Sequence, residues 1–195
     1  MAEPRLYPTH PLQQWIPALA AASRNATGLN LEAEPPVAAV DLRVSPPAEV
    51  LGTPLPTEPN TWVYAADGQI VWLGPDEWLV TSTAAAGHEL EARLGAVVRP
   101  RGGAAIDVSA QRTGIRISGR HARDVLATGC SLDLHPLAFP AGRAAQTTLG
   151  QAPVLLLALG TGDDFRVFVR PSFAGYLADW LLDAALEFQP AGTTS

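Results

Sequence analysis

The sequence predicts an α+β fold built from two small subdomains, each with the order strand, short helix, hairpin, helix. The chain has 195 residues, of which 47% are hydrophobic and 16% charged. This composition provides for a substantial core and excludes general disorder. Short alternating runs bounded by turn residues predict strands. Apolar residues that recur at intervals of three and four after Ser172 predict an amphipathic C-terminal helix.

Proline is concentrated in the first sixty residues, which contain eleven of the eighteen prolines. Each proline fixes a backbone angle and removes an amide donor, so long regular elements are not expected there. We expect residues 1–35 to form a proline-rich N-terminal arm, with one helix over residues 12–23 interrupted at Pro17. Residues 46–60 are expected to be extended, with at most a short turn of helix over residues 47–51.

Residues 36–108 are predicted to form the first subdomain. Gly74-Pro75-Asp76-Glu77 favours a tight turn between two strand-forming runs, which indicates a hairpin. Gly95 is expected to end the helix that follows the hairpin, because glycine is common just beyond a helix C-terminus. The predicted elements are a strand over residues 37–44, a hairpin over 70–73 and 78–82, a helix over 84–94 and a strand over 104–108.

Residues 109–190 are predicted to form the second subdomain, followed by a tail over residues 191–195. Ser172 is expected to be the N-cap of its last helix. Residues 44–52 faintly resemble residues 117–126, which would follow from an internal duplication, although two such halves can share a short order by chance. The other predicted elements are a strand over residues 113–118, a helix over 120–128 ended by Gly129, and strands over 144–149, 154–159 and 165–169.

The charged residues exclude several classes of function. All 13 basic residues are arginine, which excludes Schiff-base lysine chemistry, covalent pyridoxal phosphate and a P-loop lysine. The net charge of -6 argues against general nucleic-acid binding. Residues 93–143 nevertheless contain eight arginines and three acids. This basic segment suits an anion site or an acidic partner surface, although scattered solvated arginines would give the same count.

Cysteine, histidine and hydropathy patterns give further expectations. The single cysteine, Cys130, cannot form an internal disulfide, and the four histidines have no metal-binding spacing. The longest apolar run, residues 154–159, is too short to cross a bilayer, and the first ten residues lack the apolar core of a signal peptide. We therefore expect a cytoplasmic protein with no metal site and no membrane partner.

The residue pattern predicts no catalytic residue, and two polar groups remain as candidate binding residues. Asp107, Ser109 and Arg112 follow a predicted strand end, where ligand contacts are common, although an acid held by an arginine in a turn is at least as common. Asp76 and Glu77 lie in a turn framed by tryptophans. This corner is either a docking site or a hairpin whose carboxylates accept local backbone hydrogen bonds.

Three motifs together resemble a known family, and the match extends from about residue 40 to residue 188. The combination of the first two motifs is specific. The motifs are Leu73-Gly74-Pro75-Asp76-Glu77-Trp78-Leu79, Gly129-Cys130-Ser131-Leu132-Asp133-Leu134-His135-Pro136 and Arg170-Pro171-Ser172-Phe173-Ala174. With these motifs the chain resembles the gamma subunit of heterotetrameric sarcosine oxidase.

This resemblance implies a fold related to the folate-binding domain of glycine-cleavage aminomethyltransferase. It also implies alpha, beta and delta partner subunits. In such an enzyme the alpha subunit carries NAD, the beta subunit carries FAD and shares a covalent FMN with alpha, and the delta subunit binds zinc. The complex oxidises sarcosine to glycine with oxygen, which gives hydrogen peroxide and formaldehyde, or methylenetetrahydrofolate when tetrahydrofolate is the co-substrate.

The resemblance implies a non-catalytic role with no cofactor in this chain, and Asp107, Ser109 and Arg112 would then be the remnant of a pterin site. One alternative is a free-standing folate-binding or one-carbon-transfer protein of the aminomethyltransferase type, although such proteins are usually longer. Another is a scaffold subunit of a different amine-oxidising flavoenzyme. The flavoprotein subunits that co-purify with the chain would separate this second alternative from a sarcosine oxidase subunit.

Overall fold

Two antiparallel five-stranded sheets pack face to face, with helices on both outer faces. The structure is a computed structural model that describes residues 10–160 and 163–189. The predicted α+β class is confirmed. Within the described ranges, no helix is long and apolar enough to cross a membrane.

The helices and strands account for most of the described chain. The helices are α1 (Ile16–Asn25), α2 (Gly87–Val98), α3 (Ala122–Ala127) and α4 (Pro171–Ala184), with 3-10 turns at Arg99–Arg101, Ser109–Gln111 and Ala185–Phe188. The strands are β1 (Asn30–Ala33), β2 (Ala38–Arg43), β3 (Glu49–Val50), β4 (Thr53–Pro54), β5 (Trp62–Ala65), β6 (Gly68–Gly74), β7 (Glu77–Ser82), β8 (Ala104–Asp107), β9 (Thr113–Ser118), β10 (Ala144–Leu149), β11 (Ala152–Ala158) and β12 (Asp164–Val169).

Four of the five strands of each sheet have the same connectivity. The first sheet has the strand order β5-β6-β7-β2-β8, and the second has the order β10-β11-β12-β9-β1. In each sheet the last strand of a three-stranded meander, β7 or β12, pairs with a strand from earlier in the chain, β2 or β9. A fifth strand, β8 or β1, pairs with the other edge of β2 or β9. This shared order is the arrangement that an internal duplication would produce.

The fifth strand of each sheet comes from a different part of the sequence. In the first sheet it is β8, which follows α2 directly, whereas in the second sheet it is β1, which comes from the N-terminal segment. Helix α1 packs against β1 and also contacts α4. The described part of the predicted N-terminal arm therefore contains a helix and a strand that belong to the second sheet and its helical layer.

Each sheet buries one face under helices. Helix α2 presents Leu90, Leu94 and Val98, at a spacing of four residues, to Val40 and Leu42 of β2. Helices α1, α3 and α4 cover the outer face of the second sheet, which includes the fully buried side chain of Phe165 on β12. Both helical layers follow from the amphipathic patterns of their sequences.

The inner faces of the two sheets share a third apolar cluster. Leu79 and Val71 of the first sheet and Leu157 and Phe168 of the second are buried in it. The sheets are also joined by backbone hydrogen bonds at the β5–β10 edge, where the Trp62 N–H donates to the Gly142 carbonyl oxygen at 3.0 Å. Residues from both halves of the chain therefore meet in this third cluster.

Several predicted helix boundaries were wrong, for reasons that the backbone makes clear. Pro17 does not interrupt α1 but lies in its first turn, where no intrahelical N–H donor is required. Gly95 does not end α2, because the helix continues to Val98. The N-cap of α4 is Arg170 rather than Ser172, since Pro171 is the first helical residue.

The sequence prediction also missed short strands. Residues 47–51 do not form a helical turn, because β3 and β4 form a hairpin there. Its two-residue loop has positive φ at Leu51 (52°) and Gly52 (73°). Strands β1 and β5 were not predicted at all. Both have only four residues, and a run this short gives a weak strand signal, although β8, of the same length, was predicted.

Gly68, the first residue of β6, leaves no room for a side chain. A Cβ at this position would lie 1.8 Å from the carbonyl oxygen of Thr81. We expect Gly68→Ala to lower the free energy of unfolding by about 3 kcal/mol or more, because a backbone atom cannot move aside as a side chain can. Urea denaturation followed by tryptophan fluorescence measures the effect.

Gly74→Ala is the matched control, since Gly74 ends the same strand and the nearest atom to a new Cβ there is 3.5 Å away. Its effect is expected to stay within about 1 kcal/mol. Equal losses of stability in the two variants would contradict the proposed steric origin.

Candidate functional site

Asp107 and Ser109 are close together and bonded to each other. The Asp107 carboxylate accepts hydrogen bonds from the Ser109 backbone N–H at 2.9 Å and the Ser109 hydroxyl at 2.6 Å. It also lies against the N-terminus of α2, where a Cβ on Gly87 would be 2.2 Å from Asp107 Oδ2. A carboxylate near a helix N-terminus is stabilised by the helix dipole. Asp107 therefore stabilises the local structure between β8 and α2.

Arg112 is separate from this pair. Within the described residues it makes no hydrogen bond or ion pair with Asp107 or Ser109, and its Nε is buried without a partner. Burial lowers the pKa of the Arg112 guanidinium, and the positive charge of Arg170 lowers it further. The negative charges of Asp41 and Glu77 oppose this shift. The structure thus bonds only two of the three predicted residues to each other, while Arg112 and Ser109 line a common cavity.

Two adjacent cavities lie beside Arg112, at the end of the sandwich where β9 begins and β12 ends. The first has a volume of about 390 Å³ and is lined by Arg112, Arg170, Gln146 and Thr148 among others. The second has a volume of about 370 Å³ and is lined by Arg112, Ser109 and mainly apolar residues. We call the first the arginine cavity; of the two, it has more polar side chains.

A buried polar bridge connects the two sheets elsewhere in the sandwich. Arg166 on β12 donates two hydrogen bonds to the Glu34 carboxylate, at 2.6 and 2.7 Å, and a third to Gln69 Oε1 at 2.6 Å. Gln69 is only 2% exposed and Glu34 9%. Paired geometry of this kind satisfies a guanidinium that would otherwise be costly to bury.

Sequence reasoning missed the role of Arg166 in this bridge. Residues 165–169 contain four apolar side chains and this one arginine, a near-continuous apolar run typical of a strand that is buried on both faces. In such a strand a single charged residue requires a buried partner. The run itself was therefore the available signal, although it does not identify Glu34 or Gln69.

The described residues contain no group of three or more histidine, cysteine, aspartate or glutamate side chains that could hold a metal ion. Cys130 is a half-buried free thiol, with its Sγ 3.9 Å from the Thr147 hydroxyl oxygen.

A family model described as the sarcosine oxidase gamma subunit family matches residues 33–187. The chain belongs to this family. The resemblance identified from the sequence motifs is thereby confirmed.

Curated relatives of the same description are clearly similar to this chain. The sarcosine oxidase subunit gamma of Corynebacterium sp. (strain P-1) is 39% identical over 142 residues, which cover 72% of this chain and 68% of the relative. The subunit gamma of an Arthrobacter species is 41% identical over 142 residues, with the same coverage of each chain.

Solved structures agree with the family assignment. A chain of the heterotetrameric sarcosine oxidase from Corynebacterium sp. U-96, in complex with pyrrole 2-carboxylate, matches with a TM-score of 0.86 and 28% identity. The match covers 96% of this chain and 99% of that chain. Aminomethyltransferase T of the glycine cleavage system from Bartonella henselae matches with a TM-score of 0.57 and 16% identity, over 85% of this chain and 48% of that one. This second match shows a shared fold only.

The Leu73–Leu79 motif that indicated the gamma-subunit family has a structural role here. The backbone carbonyl of Asp76 accepts a hydrogen bond from the Val44 N–H at 3.1 Å, and Glu77 pairs with Arg43 at 2.8 Å. Trp78 is fully buried, and its indole N–H donates to the Pro56 carbonyl at 2.8 Å. The motif therefore anchors the β6–β7 turn to the chain that follows β2.

The Gly129–Pro136 motif of the gamma-subunit family is held in place by Arg123 of α3. The Arg123 guanidinium donates hydrogen bonds to the carbonyl oxygens of Leu134 and Phe139 and pairs with Asp163 at 2.7 Å. Within the motif, Asp133 accepts the His135 backbone N–H at 2.9 Å. These contacts fix the loop between α3 and β10.

Removing Glu34 tests the energetic importance of the buried bridge. Glu34→Ala leaves the Arg166 guanidinium buried without its carboxylate, and we expect a loss of about 3–5 kcal/mol in the free energy of unfolding. The side chains of Glu34 and Arg166 are only 11% and 21% exposed. Urea denaturation of the full-length chain measures the loss.

Asp164→Ala provides the comparison, because it removes the paired partner of Arg116, whose side chain is 44% exposed. That variant should lose only about 1 kcal/mol or less. The double variant Glu34→Ala/Arg166→Met should regain part of the stability lost in Glu34→Ala. If Glu34→Ala and Asp164→Ala lower the free energy of unfolding by the same amount, burial of the ion pair does not determine the loss.

Proposed function

We propose that this chain works as a non-catalytic gamma subunit in a heterotetrameric sarcosine oxidase. The complex would oxidise sarcosine to glycine with oxygen, which yields hydrogen peroxide and formaldehyde, or methylenetetrahydrofolate when tetrahydrofolate is present. The observation that carries this proposal is the structural match to a chain of the heterotetrameric enzyme over 96% of this chain and 99% of that one. The family model over residues 33–187 supports it independently.

The proposed partners are the alpha, beta and delta subunits of such an enzyme. FAD, FMN, NAD and zinc are assigned to these partners, and this chain is expected to bind none of them. We place the complex in the cytoplasm.

The role of a partner-dependent subunit is tested by expression with and without the other subunits. Purified alone, the chain is expected to show no absorbance at about 450 nm, where oxidised flavins absorb, and no sarcosine-dependent production of hydrogen peroxide. Co-expressed with the three partners, it should co-purify with them as an active, flavin-containing complex. Flavin absorbance or sarcosine turnover by the chain alone would contradict the proposal.

We expect no specific binding of tetrahydrofolate to the isolated chain. A pterin ring presents N–H donors, and each donor left unpaired on burial costs about 1–3 kcal/mol. The Asp107 carboxylate already accepts two hydrogen bonds from Ser109 and lies against α2, so it is poorly placed to receive those donors. Isothermal titration calorimetry with tetrahydrofolate measures binding directly. A micromolar affinity that Asp107→Ala abolishes would instead favour a folate-binding protein of the aminomethyltransferase type.

A further inference from the structure

Two arginines line the arginine cavity without a protein acceptor. Arg112 follows the 3-10 turn after β8, and Arg170 immediately precedes α4. Neither side chain forms a hydrogen bond or ion pair with another described residue, and Arg112 Nε is buried without a partner. Because no described residue accepts from these side chains, their N–H groups that face the cavity are free to donate to water or to a ligand.

Charges of both signs surround the cavity. After burial itself, the positive charge of Arg170 lowers the pKa of Arg112, and the negative charges of Asp41 and Glu77 oppose that shift. Asp41 Oδ1 is itself buried without a hydrogen-bond partner. Glu77 is moreover paired with Arg43 at 2.8 Å. A carboxylate between the two guanidinium groups would reduce their repulsion and accept hydrogen bonds from the guanidinium N–H groups that face the cavity.

The other polar groups of the cavity suit an oxygen-rich ligand. Gln146 lines it with its amide nitrogen already donating to the Leu73 carbonyl at 3.1 Å, and Thr148 contributes a hydroxyl that can donate. The volume of about 390 Å³ lies within the range of small-molecule sites, which are commonly about 300–1,000 Å³. A planar carboxylate matches the donor fork of an arginine side chain.

We propose that Arg112 and Arg170 bind a carboxylate in the arginine cavity. The carboxylate belongs either to a free small molecule or to an aspartate or glutamate side chain of a partner subunit. Both sources offer the same planar anion to the same two guanidinium groups, and the assembled complex distinguishes them.

The first experiment uses the full-length chain alone, with malonate as the probe. Calorimetric titration is expected to show saturable binding, and malonate should raise Tm more than sodium chloride of equal ionic strength. Arg170→Gln should weaken malonate binding by at least about tenfold, which corresponds to the loss of one charge-assisted contact. Arg24→Gln, at an exposed arginine of α1, should leave binding unchanged.

The Arg170→Gln variant should also be at least as heat-stable as the wild type without malonate, because it removes a like charge from the neighbourhood of Arg112. A merely structural role for Arg170 predicts the opposite. Arg112→Gln should abolish malonate binding. If that half-buried variant fails to fold, Arg170→Gln decides the question, since Arg170 is exposed.

The second experiment titrates malonate into the assembled complex. If the natural carboxylate is a free small molecule, the complex should bind malonate as the isolated chain does. If it is a partner side chain, the complex should not bind malonate, and Arg170→Gln should weaken assembly. This arm rests on the proposed function, whereas the first arm uses this chain alone. No malonate binding to the isolated chain beyond the sodium chloride control, or binding that Arg170→Gln leaves unchanged, overturns the proposal.

Discussion

The burial of Arg166 between the two sheets constrains much of the structure around it. Its guanidinium needs the Glu34 carboxylate, so the segment after β1 must run along the edge of β9. Gly114 must lack a side chain, because a Cβ there would lie 2.7 Å from Glu34 Oε2. The third hydrogen bond, to Gln69, fixes the first sheet relative to the second. A buried charge is not a strong source of stability, but it permits few alternative arrangements of its surroundings.

The motifs that identify the family lie mainly in turns and loops, although Leu73 and Arg170 of these motifs line the arginine cavity. Trp78 and Leu134 belong to motifs that hold turns and loops against the sandwich. Arg112 lies outside these motifs, and of the two arginines only Arg170 belongs to one. Sequence similarity therefore reports mainly on the scaffold, and the polar character of the arginine cavity becomes visible only when β9, β10 and β12 are placed together.

The elements that could be predicted from sequence are those with long, regular patterns. Strands β9 to β12 and helix α4 alternate, are almost continuously apolar or repeat at helical spacing over six or more residues, and their existence was predicted with small errors at the ends. Strand β1 was missed because four residues carry too little pattern. Of the predicted cluster of Asp107, Ser109 and Arg112, only the first two are bonded to each other, because closeness in sequence does not determine where side chains point. The 3-10 turn at Ser109–Gln111 separates Arg112 from Asp107. The proximity of Arg112 to Arg170 depends on contacts between distant segments of the chain.

The origin of β1 has a consequence for how the chain reaches its native state. The second sheet is completed by a strand that is synthesised first, and Asn30 pairs with Ser118 only after most of the chain has emerged. The entropic cost of closing so long a loop slows folding more than it reduces stability. Until closure, β9 presents an open edge on which another molecule could add a strand. By pairing with β9, the N-terminal segment protects this edge. A chain that began at β2 would leave the edge of β9 exposed and would be prone to aggregate, even though every residue of the first sheet was present.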